Sequence, residues 1–200
     1  MAPAEAADDA ALVRASQRGD REAFGILVAR HASSIIGLTT RMLGSTPDAE
    51  DVAQETFVAA FKALSQFQFD AKFSTWLYRI ALNKCTDVLR ARRGDTFSLD
   101  VTDDDGVTRW EPADRETPHC ALERDELACE LDRNIRALPP LYRESFVLRH
   151  VEGLTYDEMS IILGVHRDTL KMRVYKARNL LCQSLAHLEG VNRWKTTKLK

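Results

Sequence analysis

Apolar residues recur at three- and four-residue intervals along most of this chain and almost nowhere alternate in twos, so the pattern predicts helices and no strands. Leu12, Phe24, Leu27, Val28, Ile35, Ile36 and Leu38 make up the first such stretch. Ser45-Thr46-Pro47-Asp48 reads as a helix start. Thr46 can cap, Pro47 suits the first helical position, and Asp48 and Glu50 favour the positive end of the helix dipole. That helix carries Val52, Phe57, Ala60, Phe61 and Leu64 on one face. A turn over 66–72 leads into a third long helix over about 74–93, with Trp76, Leu77, Ile80, Leu82, Val88 and Leu89.

Residues 94–118 break the periodicity. Gly94, Gly106, Pro112 and Pro118 punctuate them, and acidic residues outnumber Arg109 and Arg115. This predicts an extended, solvated acidic linker, with Trp110 as an isolated aromatic inside it. From 119 to 188 the helical pattern returns through Leu122, Leu127, Leu131 and Ile135. Leu138-Pro139-Pro140 ends one helix and starts the next, and Gly153 stops that one. The expected fold is all-α: two small helical domains, 8–93 and 119–188, joined by a flexible linker at 94–118 and followed by a basic tail at 189–200.

Composition narrows the class. The chain has 200 residues, 44% hydrophobic and 29% charged, which is ample for folded cores. Its longest apolar runs are a few residues, whereas a membrane span needs about 20. The N-terminus has neither a basic start nor an apolar segment, so no secretory signal is expected and the cytoplasm is the expected compartment. The net charge of −2 argues neither for nor against nucleic acid. Cys85, Cys120, Cys129 and Cys182 show no CxxC spacing; four reduced thiols are expected, with a redox role for Cys120 or Cys129 as the alternative. His31, His119, His150, His166 and His187 are dispersed. No P-loop, HExxH or GxSxG motif is present, so no enzyme, no metal, no cofactor and no small-molecule substrate is expected.

The strongest local pattern runs from Gly153 to Lys171. Thr155 and Glu158 form a capping box that starts a short helix with Met159, Ile162 and Leu163 on its apolar face. Gly164 suits a tight interhelical turn, and a longer helix follows over about 167–186 with Leu170, Val174, Leu180 and Leu181 facing inward. This is a helix-turn-helix pattern. Its second helix exposes Arg167, Lys171, Arg173, Lys176 and Arg178, as a helix entering a DNA major groove does. A second constellation groups Phe67, Phe69, Phe73, Trp76 and Tyr78 with Arg79, Lys84, Arg90, Arg92 and Arg93, and Asn83 among them. Rings that stack on bases beside cations that hold phosphates suit single-stranded nucleic acid. Trp76 and Phe73 also suit a core; Asn83, Lys84 and Asp87 recur on a polar face and are the better base readers. A third segment, Asp48-Ala49-Glu50-Asp51-Val52-Ala53-Gln54-Glu55, is acidic on one side and apolar on the other. By itself it reads equally as a solvated face or as a docking surface for a basic helical partner.

Together the strings "DREAFGILVARH", "DAEDVAQETFVAAFKAL", "FSTWLYRIALNKCTDVLR" and "LPPLYRESFVLRHVEGLTYDEMSIILGVHRDTLKMRVYKAR" resemble the extracytoplasmic-function (ECF) sigma factors of bacterial RNA polymerase, over about 10–185. The resemblance implies that 8–93 is sigma region 2 and 119–188 is region 4. It implies docking on core polymerase through Asp48, Asp51, Gln54 and Glu55. It implies −10 capture and melting by Phe69, Lys72, Phe73, Arg79, Asn83, Lys84, Asp87 and Arg90. The −35 element would be read by Arg167, Asp168, Thr169, Lys171, Arg173, Lys176 and Arg178. Asp168-Thr169 stands where many members have Gly-Thr, and Met172 where a small polar residue is common. Expected partners are core polymerase, promoter DNA and an anti-sigma factor, the last giving the only link to a membrane. The acidic linker would thread toward the polymerase active centre. An alternative reading is a polymerase-independent helix-turn-helix regulator; it leaves the acidic and aromatic-basic helices unexplained.

Overall fold

A computed structural model describes residues 8–44, 46–93 and 125–186. The linker at 94–118 with Trp110, Cys120, the basic tail at 189–200 and the capping side chain of Thr46 lie outside the described residues. Among the described residues every regular element is helical, as the periodicity predicts. The chain divides into two compact units.

In the first half, α1 spans Asp9–Gln17 and α2 spans Arg21–Leu43. Gly19 adopts φ +100 in the short turn between them, and Asp20 caps α2 by accepting from the Ala23 N–H at 3.1 Å. Gly44, at φ +73, ends α2 in the left-handed conformation and lets α3, Thr46–Ala63, turn back. A 3₁₀ turn, Leu64–Gln66, and the loop 67–72 lead to α4, Phe73–Arg93. Helix α2 packs against α1, α3 and α4. Its Leu27, Ile35, Leu38 and Met42 meet an interior shared with Val13, Val52, Ala60, Leu77 and Cys85. Each fully buried leucine there contributes about 1.5–3 kcal/mol. Inside this core the Thr39 hydroxyl donates to the Ala49 carbonyl at 2.9 Å, satisfying a buried polar group and fixing α2 against α3. By length and mean hydropathy α2 could cross a membrane. It instead carries the buried apolar stripe of a core helix, with Arg21, Arg30, His31 and Arg41 on its other sides.

In the second half, α5 spans Asp125–Ala137 and α6 spans Pro140–Phe146, with Pro140 in the first turn where its missing N–H costs nothing. A π-turn, Val147–Val151, extends α6, and the Glu152 N–H donates to the Val147 carbonyl at 3.0 Å. Then come α7, Tyr156–Leu163, and α8, Arg167–Ser184. Helix α8 packs on α6 and α5. The core holds Ile135, Leu138, Phe146, Leu148, Met159, Leu170, Val174 and Leu181. Cys129 is disulfide-bonded, which corrects the expectation of four reduced thiols, while Cys85 and Cys182 are free.

Candidate functional site

The outward face of α3 carries Asp48, Asp51, Gln54 and Glu55 on the side away from buried Ala49, Val52, Ala53 and Thr56. The sequence placed Phe61 on the buried face. It is instead 46% exposed, its ring edge against Phe24, and Val58 is 54% exposed. The helix therefore presents an acidic edge beside an apolar one. A groove between α3 and α4 joins them, lined by Asp51, Glu55, Val58, Lys62 and Lys84. Lys84 donates to Glu55 at 2.9 Å. Arg92 pairs with Asp48 and also donates to the Leu43 carbonyl at 3.0 Å, capping the end of α2. Exposed pairs of this kind contribute roughly 0–1 kcal/mol each, so a partner can exchange them at little cost.

On α4, Arg79, Asn83, Asp87 and Arg90 follow at helical spacing as one exposed stripe. Asp87 and Arg90 lie 3.8 Å apart. Lys72 is exposed at the entry to the helix. Phe73 differs from the expected base contact. It is 4% exposed and packs on Phe67, Trp76 and His31, so it supports the loop from beneath. Phe69 is part-buried and has φ +62, the one non-glycine residue with positive φ among those described. For a bulky residue that conformation costs about 1–3 kcal/mol.

Sequence reasoning missed the residues of α1 that hold this loop. The Gln17 side-chain amide donates to the carbonyls of Leu64 and Phe67 at 2.9 and 3.0 Å. The Arg14 guanidinium lies over the Phe69 ring, 4.7 Å from its centroid. Asp9 accepts from Arg30 at 2.5 Å and meets His31 Nε2 at 2.8 Å, fixing α1 on α2. These contacts span about 20 to 55 positions of sequence, and no local pattern encodes them.

The helix-turn-helix forms as its sequence predicts. The Glu158 N–H donates to the Thr155 hydroxyl at 3.2 Å, and the Thr155 N–H donates to the Glu158 carboxylate at 2.9 Å. Gly164 adopts φ +66 in the turn, and the Ser160 hydroxyl donates to the Val165 carbonyl at 2.8 Å. Along α8, Asp168, Thr169, Met172 and Lys176 line one shallow outward hollow. Arg167 donates to Asp157 at 2.9 Å, and Lys171 donates to Asp168 at 3.0 Å. The Lys171 hydrogen bond and charge hold the Asp168 carboxyl below the usual carboxylate range, so it is an anion on the helix face. Arg178 is only partly exposed.

Arg173 does not share that face. Its guanidinium lies 3.7 Å from the Glu144 carboxylate, with both side chains mostly buried, and its Nε has no hydrogen-bond partner. It links α8 to α6. Burial pushes the Glu144 carboxyl up to about 7, more than Arg173 pulls it down. The folded state therefore binds a proton that the unfolded chain releases between about pH 4.5 and 7, and stability falls as pH rises through that window. The full effect is about 3 kcal/mol. His150 acts in the opposite sense: burial, then Arg178 and Arg149, hold its pKa down, so its contribution is lost as pH falls. The test is therefore a difference. Wild type minus Glu144→Gln, in thermal melts between pH 5 and 8, should show wild type losing several degrees relative to the variant as pH rises. Parallel curves would mean that the carboxyl titrates normally.

Comparison with known proteins finds relatives along most of the chain. Residues 27–94 match the model for sigma-70 region 2, and residues 129–181 match that for sigma-70 region 4. The RNA polymerase sigma-H factor of Pseudomonas aeruginosa is 37% identical over 183 residues, covering 90% of this chain and 95% of its own. The ECF RNA polymerase sigma factor SigW of Bacillus subtilis is 34% identical, covering 88% of this chain and 96% of its own. Among solved structures, CnrH in complex with the cytosolic domain of CnrY aligns with a TM-score of 0.66 at 28% identity, over 89% of this chain and 97% of that one. The sigma factor RpoE of Bartonella quintana, solved with the anti-sigma factor NepR, shares the fold with a TM-score of 0.61 at 23% identity, over 82% of this chain and 97% of that one.

Proposed function

Because this chain belongs to the extracytoplasmic-function sigma factors of the sigma-70 family, we propose that its two helical units divide promoter recognition between them. The protein is an initiation factor that binds core RNA polymerase and directs it to specific promoters. The observation that carries the division of labour is the separation of three chemically distinct surfaces. Helix α3 offers the acidic-apolar edge of Asp51, Gln54, Glu55 and Val58 to the polymerase. Asp48 belongs to this edge and also anchors Arg92.

Helix α4 and the loop before it would read the −10 strand. Arg79 and Arg90 are placed for phosphates, and Asn83 and Asp87 for base edges. Lys72 and Lys84 flank the stripe. Pulling a base from the stack costs a few kcal/mol, and the aromatic loop offsets this. Helix α8 would enter the major groove at −35, with Asp168, Thr169 and Met172 toward bases and Arg167, Lys171 and Lys176 toward phosphates. Asp168 suits the amine of a cytosine, and Met172 the methyl of a thymine. Arg173 and Arg178 act behind this face, Arg173 by fixing α8 on α6.

The protein acts in the cytoplasm, where the polymerase is. An anti-sigma factor that covers the exposed apolar edge of α3 would hold it inactive. CnrH and the Bartonella sigma factor were both solved with protein partners, the latter with an anti-sigma factor.

The test is a footprint of the holoenzyme with separable lesions. Asn83→Ala should lower promoter opening roughly tenfold while −35 protection persists. Thr169→Ala should change −35 base preference and leave opening of a pre-melted promoter intact. If the protein alone protects a palindrome and ignores polymerase, the regulator reading replaces this one.

A further inference from the structure

We propose that Gln17 is a positioning residue for the loop 67–72, and that α1 is the strut through which it acts. This rests on the assignment of α4 and its preceding loop to the −10 strand. It adds a residue outside both elements, one that touches no DNA and on which strand binding nevertheless depends.

Helix α1 has anchors of its own. Leu12 and Val13 are buried in the core. In its first turn Asp9 accepts from Arg30 and meets His31 Nε2 at 2.8 Å, both on α2. Removing the Gln17 amide therefore leaves α1 docked. The loop is the side that needs holding. Backbone hydrogen bonds close it at its ends, from the Phe67 N–H to the Leu64 carbonyl and from the Trp76 N–H to the Lys72 carbonyl, each at 3.1 Å. Between those ends Phe69 sits at φ +62, which a phenylalanine adopts only where its surroundings impose it.

Gln17 supplies that constraint at the loop's entry. Its amide nitrogen has two hydrogens, and it donates to the Leu64 carbonyl at 2.9 Å and to the Phe67 carbonyl at 3.0 Å. The two carbonyls bracket the 3₁₀ turn, so the pair of bonds fixes where the chain leaves that turn and in which direction. Phe67, held in this way, is the ring against which Phe69 rests edge-on at 4.9 Å. One turn earlier on α1, Arg14 lies over the Phe69 ring at 4.7 Å, so a single helix sets both the backbone and the ring. A side chain that meets a ligand is only as well placed as the groups behind it. A loop set in advance also needs no ordering when the strand arrives, and binding is tighter for it.

The experiment uses holoenzyme assembled from core polymerase and the full chain. Its probes are a non-template −10 oligonucleotide and a −35 duplex, both from a promoter selected in a transcription library. Gln17→Leu keeps the size and removes the donor. Gln17→Glu keeps the shape and turns an acceptor on two carbonyl acceptors. Gln17→Lys restores donors on a longer stem. The Leu and Glu variants should melt like wild type, bind the −35 duplex normally and bind the −10 strand about tenfold more weakly. The Lys variant should recover most of that loss. In the free protein, amide hydrogen exchange should quicken over 67–72 in the Leu variant and stay unchanged in α1. Strand affinity equal to wild type in the Leu and Glu variants overturns the positioning role. Equal loss in all three variants, or a lower melting temperature with loss of both probes, makes Gln17 a packing element and also overturns it. Weaker strand binding with loop exchange unchanged would put Gln17 on the strand itself and overturn the indirect role. If wild-type holoenzyme fails to bind the strand, the −10 assignment falls and the positioning role with it.

Discussion

Reversing Asp51 and Glu55 together to lysine is expected to weaken capture of core RNA polymerase by about 100-fold or more, which corresponds to roughly 2.7 kcal/mol. Both carboxylates are exposed on α3, and neither supports the core. The intramolecular loss is small. Glu55 is largely exposed and gives up one pair with Lys84, worth no more than about 1 kcal/mol. At an interface the same change replaces two attractive charges by two repulsive ones, and like charges brought together cost several kcal/mol. Asp48 is left intact because its pair with Arg92 also holds the end of α2. Titration of labelled core polymerase, with a thermal melt as control, separates the two effects. Undiminished capture with an unchanged melt would remove α3 from the docking surface.

The second large effect is structural. Leu170→Ala should strongly destabilise the C-terminal unit and leave the N-terminal unit unaffected. Leu170 is fully buried on the inner face of α8. Leucine-to-alanine changes at such sites cost about 2–5 kcal/mol. A unit of about 60 residues is itself stable by only about 3–9 kcal/mol. The truncation therefore removes a large share of what holds the reading helix in place, and the unit opens far more often. Limited proteolysis should cut after residue 125 in the variant and spare 8–93. Holoenzyme should still form but lose −35 protection. A variant that resists proteolysis like wild type would show that this core tolerates the cavity.

The helices behind both predictions were legible from spacing, whereas the docking role of α3 came only from the family resemblance. The capping box of Thr155 and Glu158, the glycine at 164 and the four- and seven-residue spacing of Leu170, Val174 and Leu181 are local signals, and local hydrogen bonds realise them. The exposed α4 stripe was legible for the same reason. What the spacing missed depends on distant contacts. Phe61 fits the apolar face of α3 by period, yet it lies at the exposed edge of that face with its ring against Phe24. Arg173 reads as another exposed cation until Glu144, on a different helix, draws it inward. Phe73 belongs to an aromatic-basic cluster in sequence and to the core in space. Phe69 gave no warning of a left-handed backbone, because the loop contains no glycine or asparagine that would mark one. Its supports, Arg14 and Gln17, come from a helix more than 50 positions earlier.

The measurement that bears most directly on the account is run-off transcription by bacterial core polymerase on a promoter library, with and without this protein. The account predicts transcripts from defined start sites only when the protein is present, with two enriched elements upstream of each start. Specific starts that do not depend on the protein, or a protein that core polymerase neither binds nor follows, would contradict it.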